Sequence, residues 1–194
     1  MVTLREPDPR KTAARDQILA GRKRLSVGEI RHAAAALAEV AQGAAAVRRA
    51  ATVAAYVSIG AEPGTGPLLD ALAAAGKRVI LPVLQRDNDL DWAVYTGDLV
   101  PASRGLLEPT GPLLGPDAIA TADLVLVPGL GVSHAGERLG RGGGSYDRAL
   151  ARVPRGTDVW IVLYPSEVGL TVPVEEHDRP VTGALTSHGV TLFV

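Results

Sequence analysis

The stretch that decides the fold runs from Leu124 to Arg148 and reads LVLVPGLGVSHAGERLGRGGGSYDR. Its first four residues are aliphatic, which is typical of a strand that is buried on both faces of a sheet. A glycine-rich loop follows, and a helix is predicted to begin near Ser145 and to run through Arg152. A buried strand that is joined to a helix by a loop is the repeating unit of an α/β protein.

The rest of the chain repeats this alternation. Further strands are predicted at residues 52–58, 78–82, 90–95, 159–164 and 189–194, and further helices at 12–24, from Ser26 to about Val47, and at 67–75. Helices between apolar strands predict a three-layer α/β fold, a mostly parallel, Rossmann-like sheet with helices on both faces. Ligands of such sheets bind outside the carboxyl ends of the strands. Residues 99–116 are predicted to be an irregular loop.

Composition sets further bounds on the protein. A length of 194 residues corresponds to roughly 1.3 average domains, so we expect one domain over residues 1–194. The 20 basic and 21 acidic residues leave a net charge of −1, which excludes an overall charge suited to nucleic acid or an anionic membrane. The lack of cysteine excludes disulfides and thiol catalysis. With no long apolar run in the sequence, we expect a cytoplasmic protein without membrane or nucleic-acid partners.

The glycines from Gly140 to Gly144 are the first candidate for chemistry. Adjacent glycines allow backbone N–H groups to converge on an anion, and the predicted helix N-terminus adds about half a positive charge there. Arg138 and Arg141 flank the loop and could neutralise a phosphoryl group. The alternative is a turn whose glycines serve only the backbone geometry. The dinucleotide fingerprint is absent, because His134 stands where its third glycine would be.

Basic residues of the first helix are the second candidate. Lys11 and Arg15 are four residues apart and share one helix face, where their repulsion costs about 0.2–0.5 kcal/mol. An anionic ligand would relieve that repulsion, although a solvated basic face accounts for the pair equally well. Arg22, Lys23 and Arg24 are assigned to such a solvated face.

Residues 128–131 (PGLG) and 136–147 (GERLGRGGGSYD) strongly resemble the signature of the 5-formyltetrahydrofolate cyclo-ligase family. The resemblance continues at Ser58, Glu62 and Thr65, at residues 105–109 (GLLEP) and at residues 172–178 (VPVEEHD). It therefore extends over nearly the whole chain. It implies the family's ATP-dependent cyclisation of 5-formyltetrahydrofolate to 5,10-methenyltetrahydrofolate, with release of ADP and phosphate. It also implies ATP and Mg²⁺ as cofactors and a folate, with or without a polyglutamate tail, as substrate. The resemblance further implies that the protein is a monomer.

The resemblance implies a role for each matching residue. ATP would be bound by Lys11, Arg15, Gly140, Gly142, Gly143, Gly144 and Ser145, and the catalytic residues would be Arg138, Arg141 and Tyr146. Mg²⁺ would be held by Asp147 and Asp178, and the folate by Tyr56, Val57, Glu62 and Trp92. For two of these residues the sequence alone is equally compatible with a structural role. Asp147 would also stabilise a helix start, and one Trp in a strand usually belongs to the core.

Four residues depart from the family pattern. Ser133 stands where Asp is usual, Ser145 where an aromatic residue is usual, Glu167 where Gln is common and Thr182 where Asp is frequent. These departures motivate an alternative function, a nucleotide-binding or folate-binding protein with lost or altered turnover. A third interpretation is a sheet protein similar to sugar-phosphate isomerases that uses the glycine loop without ATP.

Overall fold

The computed structural model describes residues 8–173 and 178–193. The α-helices in this part of the chain are α1 (Pro9–Arg22), α2 (Val27–Gly43), α3 (Ala45–Arg49), α4 (Gly66–Ala74) and α5 (Ser145–Leu150). The strands are β1 (Thr52–Ala54), β2 (Arg78–Leu84), β3 (Leu90–Val94), β4 (Leu99–Pro101), β5 (Leu107–Pro109), β6 (Leu124–Pro128), β7 (Gly131–Val132), β8 (Arg138–Leu139), β9 (Asp158–Val162), β10 (Gly183–Thr186) and β11 (Gly189–Leu192). Short 3₁₀ helices cover Ser103–Gly105, Pro116–Thr121 and Pro165–Glu167.

A seven-stranded sheet forms the centre of the molecule in the order β11-β10-β9-β6-β1-β2-β3. The inner strands pair in parallel, and only the pairings of the edge strands β3 and β11 are antiparallel. This confirms the predicted mostly parallel sheet. From β1 the chain moves to β2 on one side and later returns to β6 on the other, so the switch point of the topology lies between β1 and β6. Ligands of open α/β sheets bind at such a point.

Helices cover both faces of this sheet. Val53, Val79 and Leu126 point toward a core that they share with α2, α3 and α4. The alternate residues Ala54 and Ile80 point to the opposite core, which contains α5 and the 3₁₀ helix at 116–121. This alternation arises because successive side chains of a strand point to opposite faces. The three predicted layers are therefore confirmed.

Helix α1 lies outside these layers. It begins at Pro9, and the side chain of Asp8 caps it by accepting a hydrogen bond of 2.8 Å from the Arg10 N–H. Ile18 and its apolar neighbours pack against Leu130 and Leu139, which flank and end the β7–β8 hairpin. Because that hairpin leads directly into the glycine loop, α1 is positioned beside the loop.

The predicted elements and the structure differ in several places, and the strand predicted at 52–58 ends at Ala54. The helix predicted from Ser26 to about Val47 is interrupted at Ala44, whose extended backbone separates α2 from α3. Residues 99–116 are not wholly irregular, because β4 and β5 pair as an antiparallel hairpin. Strand β10 was not predicted, because its four residues follow a segment without a clear apolar pattern. Among the described residues, none of the helices combines the length and apolar character that a membrane span needs.

Candidate active site

A cavity of about 360 Å³ lies at the carboxyl ends of β1 and β6, at the switch point of the sheet. One wall follows β1 and includes Tyr56, Val57 and Glu62, and the opposite wall is the glycine loop with the first turn of α5. The β4–β5 hairpin closes a third side. Its lining residues are Arg104, Leu106, Leu107 and Glu108. The fold therefore brings the glycine loop and Glu62 to one cavity.

The loop after β1 is held closed by Ser58 and Thr65. The Thr65 hydroxyl accepts a hydrogen bond of 2.9 Å from the Ser58 N–H and donates one of 2.8 Å to the Tyr56 carbonyl. The Ser58 hydroxyl accepts a hydrogen bond of 3.0 Å from the Thr65 N–H. Inside this loop, Oε2 of Glu62 accepts a bond of 2.9 Å from the Ile59 N–H. These bonds fix the Glu62 side chain at the cavity wall.

Glu62 forms an ion pair across the cavity with Arg141 of the glycine loop. The Arg141 Nη2 and Nε atoms lie 3.0 and 3.1 Å from Oε1 of Glu62. The Glu62 side chain is 5% exposed, whereas the Arg141 side chain is 48% exposed. Arg141 is therefore the exposed partner of the pair, and its guanidinium is accessible to an anion in the cavity.

The path of the glycine loop requires glycine at two positions, because Gly142 and Gly144 have φ values of +94° and +70°, which side chains rarely permit. A Cβ atom at Gly140 would lie 2.8 Å from Nη1 of Arg138, so the arginine would have to shift. Arg15 of α1 donates a hydrogen bond of 2.8 Å from Nε to the Gly140 carbonyl. Arg15 of α1 thus holds the glycine loop on the side away from the cavity, and Arg138 lies on the cavity side.

Arg138 and Asp147 form the base of the loop. Nη2 of Arg138 donates a bond of 2.6 Å to Oδ1 of Asp147, which lies in the first turn of α5 and lines the cavity. Nε of Arg138 is buried without a hydrogen-bond partner among the described residues. An unpaired cationic N–H is costly when buried, so an anionic oxygen bound here would stabilise the site.

Lys11 and Asp178 meet away from the cavity. Nζ of Lys11 lies 2.6 Å from Oδ2 of Asp178, and neither residue lines the cavity. This ion pair ties the first turn of α1 to the segment that precedes β10. Within the described ranges, no group of three acidic or histidine side chains is suited to a metal ion. His177, which precedes Asp178, lies outside the described residues.

Two tyrosines at the cavity are held in their neutral form. Burial, followed by the nearby negative charge of Glu62, raises the pKa of Tyr56 well above its ordinary value. The same causes, in the same order, raise the pKa of Tyr146. Both phenols therefore remain protonated at neutral pH.

Two predictions from the sequence need correction. Trp92 does not line the cavity, because its side chain is 1% exposed in the core that α5 covers. Arg22 does not belong to a solvated face, because it is buried in an ion pair with Glu167. The cavity residues of the β4–β5 hairpin were not predicted. The GLLEP segment at residues 105–109 was the only feature of the sequence that pointed to them.

The structure gives three of the four departures from the family pattern a local partner. The Ser133 hydroxyl accepts hydrogen bonds from the N–H groups of Ala135 and Glu137, so it closes the β7–β8 turn. The Thr182 hydroxyl bonds both backbone groups of Val159, and Glu167 pairs with Arg22. Ser145 alone lines the cavity, where it begins α5.

Known proteins resemble this chain in sequence and in fold. The family model described as "5-formyltetrahydrofolate cyclo-ligase family" matches residues 7–187. A 5-formyltetrahydrofolate cyclo-ligase of Mycolicibacterium smegmatis is 44% identical over 141 residues, 70% of this chain and 73% of that protein. One of Escherichia coli is 32% identical over 147 residues, 70% of this chain and 77% of that protein.

Solved structures agree with the sequence relatives. The NMR structure of Aquifex aeolicus 5,10-methenyltetrahydrofolate synthetase superposes with a TM-score of 0.80 at 27% identity and covers 94% of this chain and 92% of that one. The Mycoplasma pneumoniae synthetase, at 21% identity, shares the fold with a TM-score of 0.72, over 91% of this chain and 98% of that one. The match over residues 7–187, with the relative at 44% identity, shows that this chain belongs to the 5-formyltetrahydrofolate cyclo-ligase family.

Proposed function

We propose that the protein catalyses the ATP-dependent cyclisation of 5-formyltetrahydrofolate to 5,10-methenyltetrahydrofolate, with release of ADP and phosphate. One observation carries the proposal. Arg141 of the anion-binding loop and Glu62 of the loop after β1 meet at a single cavity, at a separation of 3.0 Å. A reaction that joins a nucleotide phosphate to a folate oxygen needs both kinds of group at one place.

The phosphates of ATP fit the glycine-loop wall. The backbone N–H groups of the loop and the guanidinium groups of Arg138 and Arg141 supply positive charge at the cavity, and Arg15 holds the loop from behind. The unpaired Nε of Arg138 provides a further donor. We propose the lining residues Gly140, Gly142, Gly143, Gly144 and Ser145 as the phosphate cradle. Lys11 lies outside the cavity, so its proposed contribution is to anchor α1 through Asp178.

Mg²⁺ fits the site through Asp147. The ion is usually bound by one or two carboxylates together with phosphate oxygens. Asp147 lines the cavity beside the glycine loop, whereas Asp178 is paired with Lys11 outside it. We therefore propose Asp147, which lines the cavity, as the main protein ligand and Asp178 as the second; each carboxylate would share the ion with the cation it already contacts, Arg138 and Lys11 respectively. Bound Mg²⁺ would neutralise negative charge on the phosphate oxygens.

The folate fits the opposite wall. The Glu62 carboxylate can accept hydrogen bonds from the N–H groups of the pterin ring, and such charge-assisted bonds are among the stronger ones in proteins. Tyr56 and Val57 supply apolar surface next to it, and Leu106 and Leu107 face them from the hairpin. The neutral phenol of Tyr56 adds no charge that would repel Glu62.

The chemistry proceeds by transfer of the phosphoryl group to the substrate. The formyl oxygen attacks the γ-phosphorus of ATP, the bond to the β-γ bridging oxygen breaks, and ADP leaves with that oxygen. N10 then attacks the activated formyl carbon and loses its proton, and the C–O bond breaks with release of inorganic phosphate. The protein orients the two substrates and neutralises charge, and we propose that Arg138 and Arg141 stabilise the transferring group while Tyr146 closes the wall beside it.

A binding protein without turnover is the second candidate, and Ser145 is the observation that favours it. An aromatic ring at this position would add apolar surface to the cavity wall, and its absence lowers the expected affinity for the folate. Isothermal titration with ADP, ATP and 5-formyltetrahydrofolate separates the candidates when it is combined with an absorbance assay for the methenyl product. Binding of both ligands without product would favour the second candidate, and product formation would exclude it.

The remaining properties of the proposed enzyme follow the family. We propose that it acts as a monomer in the cytoplasm, on a folate with or without a polyglutamate tail. Arg104 at the cavity mouth is exposed and donates a hydrogen bond of 2.9 Å to Asn88, so a cationic group is present where a folate tail would leave the cavity.

A further inference from the structure

A buried ion pair lies behind the cavity. Nε and Nη2 of Arg22 donate hydrogen bonds of 2.7 and 2.8 Å to the two carboxylate oxygens of Glu167. The side chains are 3% and 7% exposed, and neither residue lines the cavity. Taking two charges out of water costs several kcal/mol per ion unless their geometry is excellent, so such a pair is often no more stabilising than apolar side chains. Stability alone therefore does not account for the pair, and its contacts point to a second contribution.

The pair holds one cavity wall directly. Nη2 of Arg22 also donates a hydrogen bond of 2.8 Å to the carbonyl oxygen of Gly129. Gly129 follows β6 and lines the cavity next to the glycine-loop wall. A Cβ atom at this position would overlap the side chain of Ile161, so the backbone there is tightly enclosed.

The pair holds the other wall through Tyr164. Oε2 of Glu167 accepts a hydrogen bond of 3.0 Å from the Tyr164 N–H, and the Arg22 guanidinium lies 5.7 Å from the centre of the Tyr164 ring. The Tyr164 hydroxyl donates a bond of 3.2 Å to the carbonyl of Ala61, the residue before Glu62. A continuous set of contacts therefore links α1 to the loop that carries Glu62.

The family departure at position 167 has a physical reason in this set of contacts. A carboxylate presents acceptor oxygens on both arms, and Glu167 uses them for two donors of Arg22 and for the Tyr164 N–H. A glutamine would turn an NH₂ donor toward one of these donors, which would lose a hydrogen bond and leave the Arg22 charge unbalanced. Arg22 and Glu167 are thus a matched pair.

We infer that Arg22, Glu167 and Tyr164 form a positioning unit that fixes the substrate-binding Glu62, and that its contact through the Tyr164 hydroxyl controls the affinity for the folate rather than for the nucleotide. This inference rests on the proposed function. None of the three residues touches a reacting atom. Their effect on the substrate is indirect. The hydrogen bond to the Ala61 carbonyl fixes the backbone next to Glu62 and so the position of its carboxylate at the cavity wall.

The Tyr164→Phe variant tests the link with the least disturbance, because it removes one hydroxyl and leaves the Arg22–Glu167 pair in place. We expect the KM for 5-formyltetrahydrofolate to rise about threefold to tenfold, the range for one lost neutral hydrogen bond. The KM for ATP, kcat and the thermal midpoint should stay near the wild-type values. Tyr95→Phe is the matched control, because the Tyr95 hydroxyl donates a similar bond of 3.0 Å to Asp70 and does not line the cavity.

A second variant tests the ion pair itself. Glu167→Gln should raise the KM for the folate more than Tyr164→Phe does, and it should lower the thermal midpoint as well. Adding Arg22→Met to Glu167→Gln removes the unbalanced charge, so the double variant should regain thermal stability without regaining folate affinity. A purely structural pair would regain both together, and that result would overturn the inference.

The outcomes separate this inference from the proposed function. If the wild type forms the methenyl product and Tyr164→Phe leaves the folate KM unchanged, or raises it no more than Tyr95→Phe does, the positioning unit is refuted and the proposed function stands. If the wild type binds the folate without turnover, the same comparison is made with dissociation constants from titration calorimetry. A wild type that neither forms product nor binds 5-formyltetrahydrofolate would overturn both.

Discussion

Two arginine–carboxylate pairs lie on either side of the loop that carries Glu62, and they differ in their access to water. In the pair behind the cavity, the side chains of Arg22 and Glu167 are 3% and 7% exposed. In the pair at the cavity, Glu62 is 5% exposed but Arg141 is 48% exposed. The same two functional groups therefore occur once as a closed pair and once as a pair that a ligand can reach.

The difference in exposure assigns the two pairs to different tasks. A buried pair cannot exchange partners, because a charge left alone in the interior costs several kcal/mol. In the second pair, the half-exposed guanidinium of Arg141 reaches water, so a phosphate in the cavity can compete for it. We propose that Arg22 and Glu167 maintain the shape of the site, and that Arg141 and Glu62 take up the substrates.

The largest expected effect on stability comes from removing one partner of the buried Arg22–Glu167 pair. Arg22→Met leaves the Glu167 carboxylate buried without its cation, and we expect the free energy of unfolding to fall by about 3–5 kcal/mol. Arg141→Met should lower it less, because Glu62 lines the cavity, where water can replace the guanidinium, and keeps its hydrogen bond from Ile59. Chemical denaturation of both variants measures the difference. Equal losses would contradict the distinction between the two pairs.

The open pair should instead dominate the activity. Arg141→Ala removes a cation from the proposed phosphate site, and we expect kcat to fall by about 100-fold to 1,000-fold. The exposed Arg155, which does not line the cavity, gives a control variant Arg155→Ala with wild-type kinetics. Asp147→Ala should also reduce the activity strongly while the fold persists. If either site variant lost structure by circular dichroism to the same degree as activity, its proposed site role would be wrong.

Removing the charge of Glu62, the other partner of the pair at the cavity, should weaken the binding of the folate only. Glu62→Gln retains an oxygen that can accept the Ile59 N–H but loses the carboxylate, so we expect the KM for the folate to rise about tenfold to a hundredfold. The KM for ATP should stay the same or fall, because Arg141 is released. Steady-state kinetics with each substrate varied in turn measure both values, with Glu39→Gln on the exposed face of α2 as control. An equal rise of both KM values would refute the separate roles.

The smallest effect is expected from the pair of Arg152 and Asp89, because it supports the fold without lining the cavity. Arg152 donates two hydrogen bonds to Asp89, which hold the pKa of Asp89 below its ordinary value. A lowered pKa stabilises the folded protein above the unfolded value, near pH 4, and this contribution is lost as the pH falls through the folded pKa. Asp89→Asn should cost about 1 kcal/mol at pH 7 and progressively less below pH 4. A cost that stays constant down to pH 3 would contradict this.

The sequence was sufficient for the glycine-loop wall and for the central sheet apart from β10. Both depend on local patterns, since strands such as Leu124–Pro128 are apolar on both faces and the glycines from Gly140 to Gly144 allow only particular backbones. Tyr56, Val57 and Glu62 line the cavity because they follow β1 at its carboxyl end, although Tyr56 and Val57 were predicted to lie within that strand.

Contacts between distant segments could not be predicted in the same way. Arg22 and Glu167 are 145 residues apart, and nothing in the helix pattern distinguishes Arg22 from its exposed neighbours Lys23 and Arg24. The β4–β5 hairpin escaped prediction because Val100 and Leu107 are exposed, so its strands lack the alternation of a half-buried sheet. Trp92 was misplaced because a strand pattern does not show which of its residues reach the end of the sheet.

The central claim is that the cavity joins an ATP phosphate to a folate oxygen, and one assay tests it directly. The purified protein is incubated with 5-formyltetrahydrofolate, ATP and Mg²⁺, and the absorbance of 5,10-methenyltetrahydrofolate is followed together with the release of ADP. We expect both products to form in equal amounts, and neither to form when ATP or the folate is omitted. Release of ADP without methenyl product, or no reaction with any combination of substrates, would contradict the account.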